Sequence, residues 1–140
     1  MQHRPSPAEI TEQMMHHDAF SRWLGIEVLE TGPGRCVLQM TLRAEMLNGF
    51  GIAHGGITYA LADSALAFAS NSHGRKAVSV ETSISHTKAL HEGERLTATA
   101  EEEHLSEKIG IYRVRVGNER DETVAVFKGV VYRTGKVWEE

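Results

Sequence analysis

The stretch "NGFGIAHGGITYALADSALAFASNSHG", residues 48–74, decides the fold. Its Ala and Leu content and its length predict a helix from about Gly55 to Asn71, stopped by Gly74 as a left-handed cap. Ile57, Ala60, Leu61, Ala65, Leu66, Ala67, Phe68 and Ala69 leave this helix no clear polar face. Such a helix is normally buried on all sides, so a sheet is expected to wrap it. Asp63 is the exception. Between Glu45 and Arg75 lie 29 residues, of which about seven should be charged in a chain that is 24% Asp, Glu, Lys and Arg; Asp63 alone is.

Upstream, "SPAE" at 6–9 reads as a helix start, with Ser6 as N-cap, Pro7 as the first helical residue and Glu9 closing a capping box. A short helix to about Trp23 is expected. Two apolar runs around Thr31–Gly34 follow, with Cys36, Leu38, Met40 and Leu42 alternating against Arg35, Gln39 and Thr41, which predicts a hairpin. Downstream, "AVSVETSISH", "RLTATAEEEH", "GIYRVRVG" and "TVAVFKGVVYR" are four β-branched, antiparallel strand candidates separated by polar turns. The resulting order is helix, two strands, long helix, four strands. That is the outline of an α+β hotdog fold: five to six antiparallel strands around one central helix, with a short N-terminal helix.

A chain of 140 residues without a linker or like-charge run reads as one domain over 1–140. A net charge of −4 provides no basic field for nucleic acid, although a local patch for a phosphorylated ligand is compatible with it. Cys36 is alone, which excludes an intrachain disulfide framework and a thiolate-rich zinc site; its inward strand position reads as core. The eight histidines show no helical metal-ligand spacing, and His16, His17 and His73 read as surface residues. Neither a secretory h-region nor a bilayer-length apolar run is present, so no membrane association and a cytoplasmic location are expected.

An ionised carboxylate buried without partners costs several kcal/mol, so Asp63 must be paired, hydrogen-bonded, protonated or in contact with a solvent-lined pocket. A structural reading has Thr58, Tyr59 or Ser64, or amides of a neighbouring chain, holding it. A functional reading notes that His54-Gly55-Gly56 fall where the helix begins, and that bare backbone N–H groups there can serve as an oxyanion hole. "GFGIAH" is not a dinucleotide fingerprint, because His54 stands where the last glycine would be. Gly55 and Asp63 are eight residues apart, about 12 Å along a helix. Both can touch one reacting group only if they come from different chains, which implies a two-fold dimer with antiparallel long helices and two equivalent sites.

At these residues the sequence resembles the hotdog-fold acyl-CoA thioesterases of the phenylacetate-degradation, or PaaI, type. The resemblance runs through "LGIEV", "MLNGFGIAHGGITYALADSALAFASNS", "GERLTATAE" and "VAVFKG". It implies hydrolysis of an aryl or phenylacetyl-type acyl-CoA, hydroxylated forms included, to free acid and CoA. Asp63 matches the carboxylate that acts as nucleophile or general base, and Gly55 the residue whose amide polarises the thioester carbonyl. His54 and Asn48 match supporting residues, and Ser79 matches a serine that in some relatives positions water. The resemblance further implies no metal or cofactor beyond the CoA of the substrate, and a homodimer that doubles into a tetramer in many relatives. Where relatives often carry an aromatic residue, then a basic residue and proline, this chain reads Ser85-His86-Thr87-Lys88-Ala89. Lys88, Arg113, Arg115, Lys128 and Arg133 are candidates for the CoA phosphates, although Arg113 and Arg115 alternate with apolar residues as on a solvated strand face. Two other functions fit the same fold: a hydratase or dehydratase pairing His54 with Asp63, and a non-catalytic acyl-CoA sensor.

Overall fold

Ser6 begins the first helix with a complete capping box: its Oγ accepts from the Glu9 amide at 3.2 Å, and Glu9 Oε1 accepts from the Ser6 amide at 3.0 Å. The structure, a computed structural model, describes residues 4–139. The expected single helix to Trp23 is in fact two, α1 (Pro7–His17) and α2 (Ala19–Leu24). Asp18 is the reason. Its Oδ1 accepts from the Ser21 amide at 2.9 Å, so the side chain caps a new helix and the backbone between the two leaves helical geometry.

The expected hairpin is β1 (Glu27–Gly32) and β2 (Arg35–Thr41), turning at Pro33-Gly34. The long helix α3 is Gly55–Asn71, followed by β3 (Arg75–His86), β4 (Arg95–Leu105), β5 (Ile109–Gly117) and β6 (Thr123–Val137). All six strands form one antiparallel sheet in the order β1-β2-β4-β5-β6-β3. This is the hotdog arrangement. β3 follows the helix in sequence but pairs with β6, so it ends the sheet with one edge unpaired among the described residues.

The core lies between α3 and one face of the sheet, where Leu61, Leu66 and Phe68 meet Leu38, Met40, Val114 and Phe127. Each such side chain contributes roughly 1.5–3 kcal/mol by leaving water. Gly129 of β6 sets the helix-to-sheet distance: a Cβ there would come 2.5 Å from Leu66 Cδ2. Cys36 is fully buried in this core, and desolvation pushes its thiol up to about 12.

Enclosure of α3 is less complete than its composition suggests. Gly56, Ala60, Asp63 and Ala67, at steps of four, three and four, remain exposed or half-buried along one stripe. The end of α3 also differs from expectation. Ser72 caps it in right-handed geometry, its Oγ donating to the Ala69 carbonyl and accepting from the Gly34 amide, and Gly74 (φ +97°) turns the chain two residues later.

β3 then runs back along α3 and is tied to it at three levels. Near the helix end, buried Asn71 accepts from the Ala77 amide (3.0 Å) and the Trp138 indole (2.9 Å), and donates to the Ala67 and Ala77 carbonyls. Midway, Tyr59 Oη and Thr82 Oγ1 share a hydrogen bond. At the helix start, His86 lies against Gly55. Ala77 and Ile84 of β3 pack on the core, and a bulge between Ser79 and Glu81 adds one residue between them.

His73 departs from its surface reading. Its Nε2 lies 2.6 Å from Glu102 Oε1, which also accepts from the buried Tyr112 hydroxyl at 2.7 Å. Although desolvation opposes it, these bonds to Tyr112 and His73 hold the Glu102 carboxyl below its ordinary range.

Candidate active site

The loop before α3 is organised by Asn48. Its Oδ1 accepts from the amides of Phe50 (2.9 Å) and Ile52 (3.4 Å), and Gly51 adopts φ +78°, which glycine allows without strain. Phe50 stands at the tip, 90% exposed. The loop closes with a bridge between Leu47 and Ala53, and the His54 amide donates to the Met46 carbonyl.

His54 is the N-cap of α3. Its Nδ1 accepts from the Gly56 amide at 2.8 Å, so the ring proton is on Nε2, and its carbonyl accepts from the Ile57 amide at 2.9 Å. Two first-turn donors are therefore consumed. The Gly55 N–H has no acceptor among the described residues, and it is exposed at the positive end of a 17-residue helix. A free donor with no side chain of its own can approach a carbonyl oxygen closely.

Asp63 sits two turns further on, half-buried in a cleft of ≈ 420 Å³ lined also by Asp18, Phe20, Ser21, Tyr59, Ala60, Ser64 and Ala67. Its carboxylate has no hydrogen bond or ion pair among the described residues. Of the three hydroxyls that could have held it, Thr58 does not line the cleft and the other two are committed elsewhere. Tyr59 bonds Thr82, and Ser64 donates to Ser21 Oγ (2.8 Å), which in turn donates to Asp18 Oδ2 (2.7 Å). Burial first, and the charge of Asp18 second, raise the Asp63 pKa above its ordinary value. An unpaired carboxylate with a raised proton affinity is a better base, and one placed in a cleft is available to a reactant.

Within one chain the candidate residues form two groups. Asn48, His54 and Gly55 gather at the start of α3, and Asp63 lies apart from them about 12 Å along the same helix. Ser79 joins neither. It is an exposed β3 residue opposite Val131 and does not line the Asp63 cleft. His54 is held in its capping role, which leaves only Nε2 for any acid-base exchange. Lys88, in the loop after β3, is paired with Glu122 (2.9 Å), and Arg113 and Arg115 are paired with Glu103 (2.6 Å) and Asp121 (3.0 Å), the solvated-face arrangement that the alternation of the two arginines suggests.

Two neighbours were not singled out from the sequence as site residues. Asp18 reaches the Asp63 cleft because it breaks the N-terminal helix; its spacing to Ser21 is the signal that could have marked it as a cap. His86 reaches Gly55 through a β3–α3 approach that no local pattern encodes.

Residues 50–125 match the Thioesterase superfamily. The chain is 39% identical to a putative esterase of Archaeoglobus fulgidus over 91% of this chain and 82% of that one. It is 38% identical to the acyl-coenzyme A thioesterase PaaI of Escherichia coli over 87% of each. The solved E. coli PaaI, from the phenylacetic acid degradation operon, aligns with a TM-score of 0.92 at 36% identity, covering 94% of this chain and 95% of that one. A hypothetical thioesterase of Streptococcus pneumoniae, solved with coenzyme A, aligns with a TM-score of 0.84 at 25% identity, covering 90% and 98%. Matched by the family across more than half its length, and similar to PaaI along most of it, this chain belongs to the thioesterase superfamily as a PaaI-type, hotdog-fold thioester hydrolase.

Proposed function

We propose that the protein hydrolyses aryl or phenylacetyl-type acyl-CoA thioesters at a site built from two copies of the chain, with Asp63 of one and Gly55 of the partner subunit acting on the same carbonyl. The observation that carries this reading is the pairing, on one helix, of a carboxylate and an amide that have no partner among the described residues and are too far apart to cooperate within a chain. The open stripe Gly56-Ala60-Asp63-Ala67 and the unpaired edge of β3 offer surfaces for a two-fold partner, and two such dimers would make a tetramer. The relation to PaaI of E. coli and to the CoA-bound S. pneumoniae protein supports acyl-CoA as the substrate class. Phe20 and Tyr59 in the Asp63 cleft suit a flat aromatic acyl group.

In the reaction, Asp63 takes a proton from water as its oxygen bonds to the thioester carbon. The oxyanion accepts from the Gly55 amide. The C–S bond then breaks, the CoA thiolate leaves and is protonated, and the acid departs as carboxylate. His54 and Asn48 keep the donor loop in shape, and Ser79 remains a candidate for orienting the water once a second chain is present.

Thiol release from a panel of aryl, hydroxyaryl and straight-chain acyl-CoAs tests the reading. Highest kcat/KM on phenylacetyl-type members supports it; no thiol release from any member, with acyl-CoA still bound, favours a sensor. A single turnover in ¹⁸O-water separates the two roles of Asp63. General-base attack puts ¹⁸O only into the product acid, whereas ¹⁸O in the Asp63 carboxyl requires an acyl anhydride on Asp63 that water opens at the Asp63 carbon.

A further inference from the structure

β3 ends at the first residue of α3. His86, its last residue, carries a ring whose Nε2 lies 3.3 Å from the point where a Gly55 Cβ would sit. By standard covalent geometry the Gly55 nitrogen is about 2.5 Å from that point, so the two nitrogens are at most about 6 Å apart. That is the largest separation at which two donors can share one oxygen, each at about 2.9 Å. The His86 ring is exposed and makes no hydrogen bond among the described residues, and the Gly55 N–H is equally unclaimed. Backbone pairing of His86 with Ala125 and the bond from the Thr87 amide to the Val124 carbonyl fix the strand end. A Cβ at position 55 would make a tight contact with the imidazole, which the exposed ring would relieve only by moving a few tenths of an ångström away.

We infer that His86 is a second oxyanion donor. Its Nε2–H, beside the backbone of Gly55, bonds the thioester oxygen as negative charge develops there. This rests on the thioesterase reading above and adds a residue to it. A developing oxyanion accepts more strongly than a ground-state carbonyl, so the contribution falls on kcat rather than on KM.

The test is acyl-CoA hydrolysis by wild type, His86→Phe and His86→Gln, with thermal melting of each as a control on folding. His86→Phe keeps a flat ring and removes the donor; kcat falls about tenfold or more with KM changed less than twofold. His86→Gln retains an N–H donor and recovers most of that loss. Wild-type kcat in His86→Phe overturns the inference. So does a His86→Gln variant as slow as His86→Phe, which would mean proton transfer by the imidazole and not donation. A wild-type protein that releases no thiol from any acyl-CoA is a different failure: it removes the thioesterase reading and this proposal with it.

Discussion

Asp18 and Asp63 line one cleft, and the charge of the first adds to burial in raising the pKa of the second. Asp18→Asn removes that charge while keeping a side chain that caps α2 equally well. The acid limb of the kcat/KM profile should move to lower pH, and stability should fall by about 1 kcal/mol, because the Ser21 hydroxyl loses Asp18 Oδ2 as its acceptor. Burial still acts on Asp63, so part of the elevation persists. A pH–rate profile of the variant beside wild type, with a melting curve, checks both.

For Asp63 itself the sign of the linkage is definite. A carboxyl whose pKa is raised on folding holds its proton more tightly in the fold than in the unfolded chain, where the ordinary value is 3.8. It costs no stability below that value, an increasing amount as pH climbs towards the folded pKa, and a constant amount above it. Asp63→Asn should therefore be at least as stable as wild type at neutral pH while losing roughly 10²–10⁴-fold in turnover. Urea unfolding at neutral and acidic pH, together with thiol release, tests this; a variant that unfolds more readily at neutral pH would mark Asp63 as structural.

A Cβ added at Gly129 would come 2.5 Å from Leu66 Cδ2, closer to a neighbour than at any other described glycine. Leu66 is buried and cannot swing aside, so Gly129→Ala should destabilise by about 1–3 kcal/mol through overpacking. Combining it with Leu66→Ala should be less damaging than the two single effects added together, because the new methyl enters the space that Leu66 vacates. Denaturant unfolding of the four proteins gives the coupling directly.

Asn71 satisfies four groups at the junction of α3, β3 and the C-terminal strand region. Asn71→Ala leaves the Ala77 amide and the Trp138 indole without their acceptor, at a cost of about 1–3 kcal/mol. Faster hydrogen exchange at Ala77 than in the β4–β5 ladder would locate the loss.

Much of the architecture was legible because its signals are local. The Ser6 capping box, the Pro33-Gly34 hairpin and the four later strands occur where capping chemistry, turn residues and β-branched runs put them. Asp63 stood out for an equally local reason, a single charge in an apolar run. What local pattern did not carry was proximity between distant segments. The capping preference of Asp18 competed with the helical tendency of its neighbours, and capping won. The nearness of Asp18 to Asp63 and of His86 to Gly55 follows from how the N-terminal helices and β3 pack on α3, which depends on the whole core. The stripe left open on α3 was hidden because Gly56, Ala60 and Ala67 are small residues that suit burial and exposure alike.

The bulge in β3 carries one more consequence. Ala77 and Thr82 both face α3 although they are five residues apart, an odd count that in a regular strand would turn them to opposite sides. Val80 is the additional residue that restores parity, and Ile84 and His86 inherit their facing from it. The strand thus works as a ruler with one inserted mark, and its length is fixed modulo two. Deleting Val80 would leave Ala77 in place yet present Thr82, Ile84 and His86 to the far side of the sheet, so the chain tolerates a change of residue at this point far better than a change of count.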